Sequence, residues 1–358
     1  MDVEKRLELI KSVGEEIITE EELRQLLQTN KHPIVYDGFE PSGQMHIAQG
    51  IMRAINTNKL LDAGCKFKFW VADWFAWMNN KMGGDMEKIR TAGEYFIEVW
   101  KACGMDTDKV EFIWSKEVMG KEDYWKRVVS IGREVTLSRV LRTVQIMGRS
   151  EKDNLSAAQI LYPCMQTSDI FELDVDITNL GMDQRKVNML AREIAPKLGL
   201  KKPVVLNYHM LMGLSAPAFD IKDSIERKIA MKMSKSIPSS AIFMTDTNDE
   251  ITKKIRAAYC PDKQVDENPI LEYCKYIIFE RFDKIKIERP AKFGGDVTYT
   301  SYEELSKDYA SGKLFPLDLK NAVAIYIDKL IEPVRDHFEK NKKARELHEV
   351  MKKAKITR

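Results

Sequence analysis

Residues 34–50 read IVYDGFEPSGQMHIAQG, which is an apolar strand, a turn rich in glycine and proline, and the start of a helix. Ile47, Ile51 and Ile55 recur every four positions, as one buried helix face requires. Glycine and proline let the backbone turn sharply and approach a ligand closely. Free N–H groups at a helix start attract an anion, and His46 stands at that point. The stretch predicts a nucleotide-phosphate site, although a plain loop–helix junction is the commoner interpretation of such a stretch without a second element.

A second element lies near residue 230, where Lys232 and Lys235 bracket Ser234 in the pentapeptide KMSKS. Alone, a lysine-rich pentapeptide is most often a solvated loop. Paired with the upstream run PSGQMHIAQ, it resembles the KMSKS motif of class I aminoacyl-tRNA synthetases, and the upstream run resembles their HIGH motif. The second match departs from the family at two positions, because Ala48 replaces a glycine and Gln49 replaces the second histidine.

The composition is that of a globular protein. Its 358 residues are enough for two domains, and 44% are hydrophobic while 31% are charged. The net charge is only +2, so a nucleic-acid partner must meet a local basic patch. Five cysteines form no C-x-x-C pair, which argues against structural zinc and disulfides and predicts a reducing, cytoplasmic location. No apolar run reaches the ~18 residues of a membrane span, and the charged N-terminus carries no signal-peptide core.

Strand and helix patterns alternate through the first two thirds of the chain. This alternation predicts an α/β fold with a Rossmann-like parallel sheet. Residues 3–28 have helical spacing throughout. The strands are expected near 34–36, 67–72, 110–114, 175–177 and 204–206, with helices over 86–102, 121–147 and 189–194.

After the lysine loop the pattern becomes helical, with helices expected near 248–258, 268–280, 301–310 and 318–338. We therefore predict a domain boundary around 236–241. By the resemblance to class I synthetases, residues 1–236 would form the catalytic domain, and residues 237–358 would form a helical anticodon-binding domain that ends in a basic tail.

The segment from Tyr162 to Asp169, YPCMQTSD, indicates a specificity site. If it is helical, Tyr162, Gln166 and Asp169 lie on one face, although a solvated polar stripe would show the same pattern. The runs YDGFEPSG, YPCMQTSD, GMDQRK and KFGGD together resemble the tyrosyl-tRNA synthetases of the archaeal and eukaryotic type. Tryptophanyl-tRNA synthetases share much of this architecture and are the alternative, but GFEPSG together with Asp169 favours tyrosine.

The resemblance implies a role for each matching residue. Tyr36 and Asp169 would hydrogen-bond the phenolic hydroxyl of tyrosine, while Tyr162, Gln166 and Gln184 would hold its ammonium group and ring. Phe75 stands where the family would place a histidine. The expected catalytic residues are His46, Gln49, Lys232 and Lys235. The expected ATP-binding residues are Gly38, Ser42, Gly43, His46, Ala48, Gln49, Met233 and Ser234.

The implied chemistry has two steps. The tyrosine carboxylate attacks the α-phosphate of ATP, and the tyrosyl group then passes to tRNA. Charge that builds on phosphate oxygens must be neutralised, which is the role expected of Lys232 and Lys235. Mg²⁺ is expected with the ATP phosphates, but no acidic cluster indicates a dedicated metal site. Asp37 and Glu40 are expected to be structural or to orient substrate.

Candidate RNA contacts fall in two regions. In the family, Arg142 and Lys186 match residues near the first acceptor-stem base pair, and Phe293 and Asp318 match the pair that reads the anticodon. Basic residues outnumber acidic ones from 335 to 358, although a charged, frayed terminal helix would look the same. The resemblance also implies a homodimer that uses residues 115–165.

Two functions of other classes remain open on sequence grounds. A nucleotidylyltransferase also combines a histidine at a helix start with a lysine loop, but it needs no helical RNA-reading region. A synthetase-like binding protein without catalysis would not need His46, Lys232 and Lys235 to be intact.

Overall fold

The computed structural model describes residues 1–149, 153–218 and 220–353. Within these residues a six-stranded sheet forms the centre, in the order β1-β6-β5-β2-β3-β4, and a two-stranded hairpin, β7-β8, lies in the C-terminal part. The strands are β1 (Gly14–Ile18), β2 (Ile34–Phe39), β3 (Lys66–Val71), β4 (Val110–Trp114), β5 (Ile177–Gly181), β6 (Val204–Tyr208), β7 (Ile285–Ile287) and β8 (Val297–Tyr299).

Helices cover both faces of the sheet and make up most of the chain after residue 240. They are α1 (Val3–Lys11), α2 (Glu20–Thr29), α3 (Arg53–Asp62), α4 (Asp73–Met78), α5 (Met86–Ala102), α6 (Ser115–Val118), α7 (Glu122–Glu134), α8 (Leu137–Thr143), α9 (Ala157–Glu172), α10 (Arg185–Ile194), α11 (Ser224–Met231), α12 (Asn248–Ala257), α13 (Pro269–Tyr273), α14 (Tyr302–Ala310), α15 (Pro316–Lys340) and α16 (Lys342–Lys353).

The strand order positions the functional site. The chain runs from β2 outward through β3 to β4, whereas β5 pairs on the other side of β2 and continues to β6. Open parallel sheets bind ligands where the strand order reverses, outside the carboxyl ends of the strands. Here that point lies between β2 and β5, so residues 40–47 and 181–184 meet at one edge of the sheet.

The α/β fold with a mainly parallel sheet is confirmed, and strands β2, β3, β4 and β6 lie where the sequence predicted them. The uninterrupted helix expected over 3–28 is wrong, because β1 separates α1 from α2 and pairs antiparallel with β6. This edge strand is only partly buried, so its residues lack the apolar alternation that marks a strand. Strand β5 begins at Ile177, later than expected, since Val175 still hydrogen-bonds back to Ile170 at the end of α9.

The C-terminal helices agree with the predicted ones, with two additions. The hairpin β7-β8 and helix α16 were not predicted. The helices pack onto the same core as the sheet, as the rings of Tyr95 in α5 and Phe338 in α15 show, with centroids 5.2 Å apart. The boundary at 236–241 stays a prediction. The basic tail is described only as far as Lys353, so residues 354–358 lie outside the described part.

Among the described residues, no helix is both long enough and apolar enough to cross a membrane.

The contact between α5 and the sheet leaves no room for a side chain at Gly93. An added Cβ would lie 2.6 Å from the Trp114 ring and 3.1 Å from Val71. We expect Gly93→Ala to lower the free energy of unfolding by about 1–3 kcal/mol, because the partly buried Trp114 ring and the buried Val71 cannot yield without strain. Glu94→Ala, on the exposed side of the same helix, should cost less than about 1 kcal/mol. Chemical denaturation of both variants checks this, and equal stabilities would contradict the packing.

Candidate active site

A cavity of about 840 Å³ opens at the carboxyl ends of β2, β5 and β6. It brings together every residue that the sequence assigned to tyrosine, ATP or catalysis. The assigned residues that line it are Tyr36, Gly38, Ser42, Gly43, His46, Ala48, Gln49, Tyr162, Gln166, Asp169, Gln184, Lys232, Met233, Ser234 and Lys235.

The turn after β2 shapes one wall of the cavity. Gly43 has φ +54°, a left-handed conformation that glycine adopts without strain. A turn of π-helix, Ala48–Met52, then leads into α3. His46 is buried at the start of this turn, and burial together with the nearby Lys235 and Lys232 lowers its pKa well below the usual value. The imidazole is therefore neutral and acts as a hydrogen-bonding group rather than as a cation.

The lysine loop is seated on this turn. Lys235 is buried, its ammonium group donates to the carbonyl of Ser42, and it lies 4.5 Å from the centre of the Phe96 ring. Burial lowers the pKa of Lys235 well below its usual value. Lys232 forms an ion pair with Asp183, directly after β5. The loop thus places the side-chain nitrogens of two lysines beside His46.

The opposite end of the cavity is built for a hydroxyl group. Asp169 in α9 is fully buried, and its Oδ1 accepts a hydrogen bond of 2.8 Å from the Tyr124 hydroxyl. Its Oδ2 has no hydrogen-bond partner among the described residues. Burial raises the pKa of Asp169 and, together with the Asp169 charge, that of Tyr36. An acceptor oxygen and a neutral hydroxyl therefore face the cavity together.

Tyr124 was not predicted as a site residue. It lies in α7 with Val128 and Ile131 on the buried face, and this helical spacing is visible in the sequence. A tyrosine on an apolar helix face needs a partner for its hydroxyl. That rule indicates a buried acceptor nearby, but only the tertiary structure identifies it as Asp169.

A second group of polar side chains lies on the same face of α9, so the prediction that Tyr162, Gln166 and Asp169 share a helix face is confirmed. The Gln166 amide donates to Gln184 Oε1 at 3.1 Å, and Gln184 donates to the Ile146 carbonyl at 2.9 Å. These bonds leave Gln166 Oε1 without a partner among the described residues. A free amide oxygen of this kind can accept from an ammonium group.

Glu40 fixes the hydroxyl group of Tyr162. It accepts hydrogen bonds from the Tyr162 hydroxyl at 2.8 Å and from the Asn79 amide at 3.2 Å. Phe75, which replaces an expected histidine, packs edge-on against the Tyr162 ring with centroids 4.7 Å apart. The Phe75 ring therefore fixes Tyr162 by packing, where a histidine could also have offered a hydrogen bond.

Asp37 and Arg53 form a buried ion pair beside the cavity that the sequence did not indicate. The Arg53 Nε lies 3.1 Å from Asp37 Oδ2, and the Asp37 side chain is fully enclosed. Burial, opposed by the attraction of Arg53, raises the pKa of Asp37 to about 7. Arg53 also lies over the Tyr208 ring, 5.6 Å from its centre. Asp37 therefore holds a cation in the wall of the cavity.

The residues assigned to RNA lie outside the cavity. Arg142 is exposed, and Lys186 donates to Gln145. Phe293 is 48% exposed and packs edge-on to Phe315. Asp318 lies half-buried in the first turn of α15, where a carboxylate stabilises the helix dipole.

Comparisons with known proteins agree on one family. Residues 28–332 match the family of tRNA synthetases class I (W and Y). The chain is 54% identical to the cytoplasmic tyrosine–tRNA ligase 1 of Arabidopsis thaliana over all of this chain and 90% of that protein. It is 47% identical to the tyrosine–tRNA ligase of Thermococcus kodakarensis, over the full length of both.

Solved structures of tyrosyl-tRNA synthetases are also similar to this chain. The tyrosyl-tRNA synthetase of Pyrococcus horikoshii, crystallised with L-tyrosine, superposes with a TM-score of 0.90 and 43% identity, over 98% of this chain and 100% of that one. A tryptophanyl-tRNA synthetase from Plasmodium falciparum superposes with a TM-score of 0.68 at 18% identity, over 98% of this chain and 91% of that one. The latter likeness shows the fold alone.

The Asp37–Arg53 pair can be tested by a double-mutant cycle. Arg53→Met should lower the free energy of unfolding by about 3–5 kcal/mol, because it leaves a buried carboxylate without its counter-charge. The loss should grow as the pH rises through 7. Below that pH the Asp37 carboxyl group is protonated and needs no counter-charge, whereas above it the group ionises and depends on Arg53. Adding Asp37→Asn should restore most of the stability. Denaturant unfolding at pH 5 and pH 8 measures both effects. An Arg53→Met variant that is as stable as the wild type would contradict the pairing.

Proposed function

The chain belongs to the tyrosyl-tRNA synthetases, class I enzymes of the tryptophan and tyrosine family, and on this premise we propose how its cavity activates tyrosine with ATP. The carrying observation is that one cavity joins a buried hydroxyl-binding pair, Tyr36 and Asp169, to a turn and loop that present His46, Lys232 and Lys235. The first end suits a phenol and the second suits a triphosphate. The carboxylate of a bound tyrosine and the α-phosphate of ATP would meet between them.

Tyrosine binding is proposed to depend on polar side chains that keep one oxygen without a hydrogen-bond partner among the described residues. Asp169 Oδ2 would accept from the phenolic hydroxyl while Tyr36 donates to it or accepts from it. Tyr124 would keep Asp169 oriented through its 2.8 Å bond. Gln166 Oε1 would accept from the substrate ammonium group, with Gln184 fixing the Gln166 amide. Tyr162 would complete this end of the pocket by packing along the substrate.

Adenylate formation is proposed to depend on positioning and charge. The substrate carboxylate attacks the α-phosphorus, a new C–O–P linkage forms, and pyrophosphate leaves with the electron pair of the broken P–O bond. Lys232 and Lys235 would neutralise the negative charge that develops on the phosphate oxygens. Neutral His46, with Gln49, Ser42 and Ser234, would donate hydrogen bonds. Gly38, Gly43, Ala48 and Met233 would line the nucleotide.

Mg²⁺ is proposed to arrive with ATP. Among the described residues, no group of three or more His, Cys, Asp or Glu side chains could hold a metal ion. The carboxylate of Asp183 is already paired with Lys232. The residues present therefore fit an ion that is held by phosphate oxygens. When bound, it would supply further charge neutralisation.

Transfer to tRNA is proposed to use surfaces outside the cavity. Arg142 and Lys186 would contact the acceptor stem, while Phe293 would stack on an anticodon base and Asp318 would accept from its edge. The exposure of Phe293 supports this. Asp318→Ala should relax the preference for the cognate first anticodon base in charging assays. A lower melting temperature with an unchanged preference would leave Asp318 as a helix-stabilising residue only.

The enzyme is proposed to be a cytoplasmic homodimer. Large apolar side chains are exposed in the predicted interface of residues 115–165, namely Trp125, Val129, Leu137 and Leu161. Exposed apolar surface of this kind marks an interaction site. Light scattering that gives the monomer mass of 41.4 kDa at micromolar concentration would contradict the dimer.

The decisive assay is ATP–pyrophosphate exchange with each amino acid in turn, without tRNA. We expect exchange with tyrosine alone. Exchange with tryptophan would favour the tryptophanyl alternative, and exchange with no amino acid would favour a binding protein. An adenylated product without any amino acid would favour a nucleotidylyltransferase.

The loop lysines should act mainly on the transition state. Lys235→Ala should lower the exchange kcat by about 10²-fold, because losing one preorganised cation costs a few kcal/mol where charge develops. Its Kd for tyrosine should change little, since the hydroxyl-binding end is untouched. Lys222→Ala, an exposed lysine ahead of α11, serves as the control. Equal losses in tyrosine affinity and in kcat would refute the assignment.

The hydroxyl-binding pair should determine specificity. Sites that hydrogen-bond a hydroxyl reject analogues without it by about 10⁴–10⁵, a range measured on enzymes of this family. Tyr36→Phe combined with Asp169→Ala should lose tyrosine exchange while phenylalanine exchange holds or rises. Tyr162→Phe, by contrast, should weaken both amino acids alike. A tyrosine-to-phenylalanine ratio that stays at the wild-type value in the double variant would show that the phenol binds elsewhere.

A further inference from the structure

His209 follows β6 directly and lies between two carboxylates. Its Nδ1 is 3.0 Å from Glu15 Oε2, and its Nε2 is 3.0 Å from Glu272 Oε2. Its ring stacks on Tyr276, with centroids 4.2 Å apart. A carboxylate can only accept hydrogen bonds, so both ring nitrogens must donate and the ring is an imidazolium. Burial opposes this charge, but the bonds to Glu15 and Glu272 outweigh burial and raise the pKa of His209 to about 9.

The imidazolium joins three separate parts of the chain. Glu15 belongs to the edge strand β1, and it also pairs with Lys228 in α11, the helix that leads into the lysine loop. Glu272 belongs to α13 in the C-terminal helical region. Two carboxylates and two cations therefore balance, and the cluster links the sheet edge, the loop and the C-terminal region.

Helix α13 also holds the backbone of Met212. The Met212 N–H donates to Glu272 Oε2 at 2.9 Å, and the Met212 carbonyl accepts from the Tyr273 hydroxyl at 2.9 Å. Both backbone polar groups of this residue are thus fixed by side chains of one helix. Its position depends on where α13 lies.

The segment 211–213 is in turn the partner of the lysine loop. The Met233 N–H donates to the Leu211 carbonyl at 2.8 Å, and the Gly213 N–H donates to the Met231 carbonyl at 2.9 Å. Met212 and Lys232 form the bridge between these two bonds. This two-stranded contact therefore holds the start of the loop, with Lys232 as the central bridged residue.

We propose that His209 is a positioning residue that keeps the lysine loop seated on the ATP end of the cavity and makes its position depend on helix α13 of the C-terminal region. His209 would act through Glu272 and Met212 on Lys232, without itself contacting the reacting atoms. This inference rests on the proposed function for its consequence in catalysis, but the seating of the loop can be measured without any activity. Because α13 belongs to the region proposed to read tRNA, a shift of that helix would reach the loop lysines directly.

A second histidine provides a matched control. His337 in α15 also bridges the C-terminal region to the sheet domain, with its Nε2 2.9 Å from Glu98 Oε2 in α5. It makes the same kind of interaction between the same two regions, but no hydrogen bond of the described residues leads from α5 to the backbone of the lysine loop, which α5 meets through the Phe96 ring beside Lys235. A general attachment role predicts equal effects of the two histidines, whereas a positioning role predicts an effect of His209 alone.

The test uses the full-length protein as His209→Gln, Glu272→Gln and His337→Gln. Glutamine at 209 cannot reach both carboxylates, and glutamine at 272 keeps an acceptor for the Met212 N–H while removing the charge. Limited trypsin digestion is followed by mass spectrometry for cleavage after Lys232 and Lys235. Tyrosine-dependent exchange is measured in parallel, with KM for ATP, KM for tyrosine and kcat determined separately, and circular dichroism confirms folding.

We expect cleavage after Lys235 to be at least about tenfold faster in His209→Gln, because proteolysis follows the population of the open loop and the variant breaks a partly buried charge cluster. Exchange should show a lower kcat and a higher KM for ATP with an unchanged KM for tyrosine. His337→Gln should match the wild type in both assays. If His209→Gln does not fold, Glu272→Gln is the deciding variant. It should show the same faster cleavage, lower kcat and higher KM for ATP, with smaller changes.

Two results would overturn the proposal. One is wild-type protection of Lys235 in the folded His209 or Glu272 variant. The other is equal release of the loop in His337→Gln, which would reduce His209 to a general attachment between regions. A wild-type enzyme without tyrosine-dependent exchange would instead overturn the proposed function, and the digestion would still report whether His209 seats the loop.

Discussion

A short backbone pairing between residues 45–47 and 242–244 holds the site together. The Ile47 N–H donates to the Ile242 carbonyl and the Met244 N–H donates to the Met45 carbonyl, both at 2.9 Å, with His46 and Phe243 forming the bridge between them. This pairing fixes the turn after β2 against the segment that follows the lysine loop. His46 and Lys235 can be neighbours only because the pairing closes a long excursion of the chain, and the cavity exists because its two walls are tied there.

Buried charge is the second constraint on the site. Asp169, Asp37, Arg53 and Lys235 are all enclosed, and an enclosed charge is costly unless it is paired or neutralised. The structure meets this requirement locally, with Tyr124 on Asp169, Arg53 on Asp37, and the Ser42 carbonyl with the Phe96 ring on Lys235. The polar groups are thus oriented before a ligand arrives, which is the condition for electrostatic stabilisation of a transition state.

The two histidine bridges between the sheet domain and the C-terminal region differ in what they support. His337 joins two helices, α15 and α5, whereas His209 lies beside the segment that pairs with the lysine loop. Attachment of the helical region is therefore distributed over apolar packing and several polar bonds, and the contact through α13 is one that leads by hydrogen bonds to the backbone of the lysine loop. Placement of the region proposed to read tRNA and placement of the loop lysines can share one interaction in this way.

The sequence by itself determined the α/β class, most helices and the family to which the chain belongs. Periodicity located the strands from β2 to β4, and the pairing of PSGQMHIAQ with KMSKS indicated the nucleotide end, because both signals depend on residues close together in the chain. Helical spacing within α9 likewise placed Tyr162, Gln166 and Asp169 on one face.

Tertiary structure decided the contacts between distant segments, since no local pattern encodes which buried groups will meet. Tyr124 lies 45 positions from the Asp169 carboxylate that it orients, and Arg53 compensates Asp37 from the far side of a turn. The edge strand β1 forms because β6 offers it a free row of backbone groups, not because its own residues alternate. The neutral state of His46 and the imidazolium at His209 also follow from burial and neighbours, since the same side chain takes different protonation states in two environments of one fold.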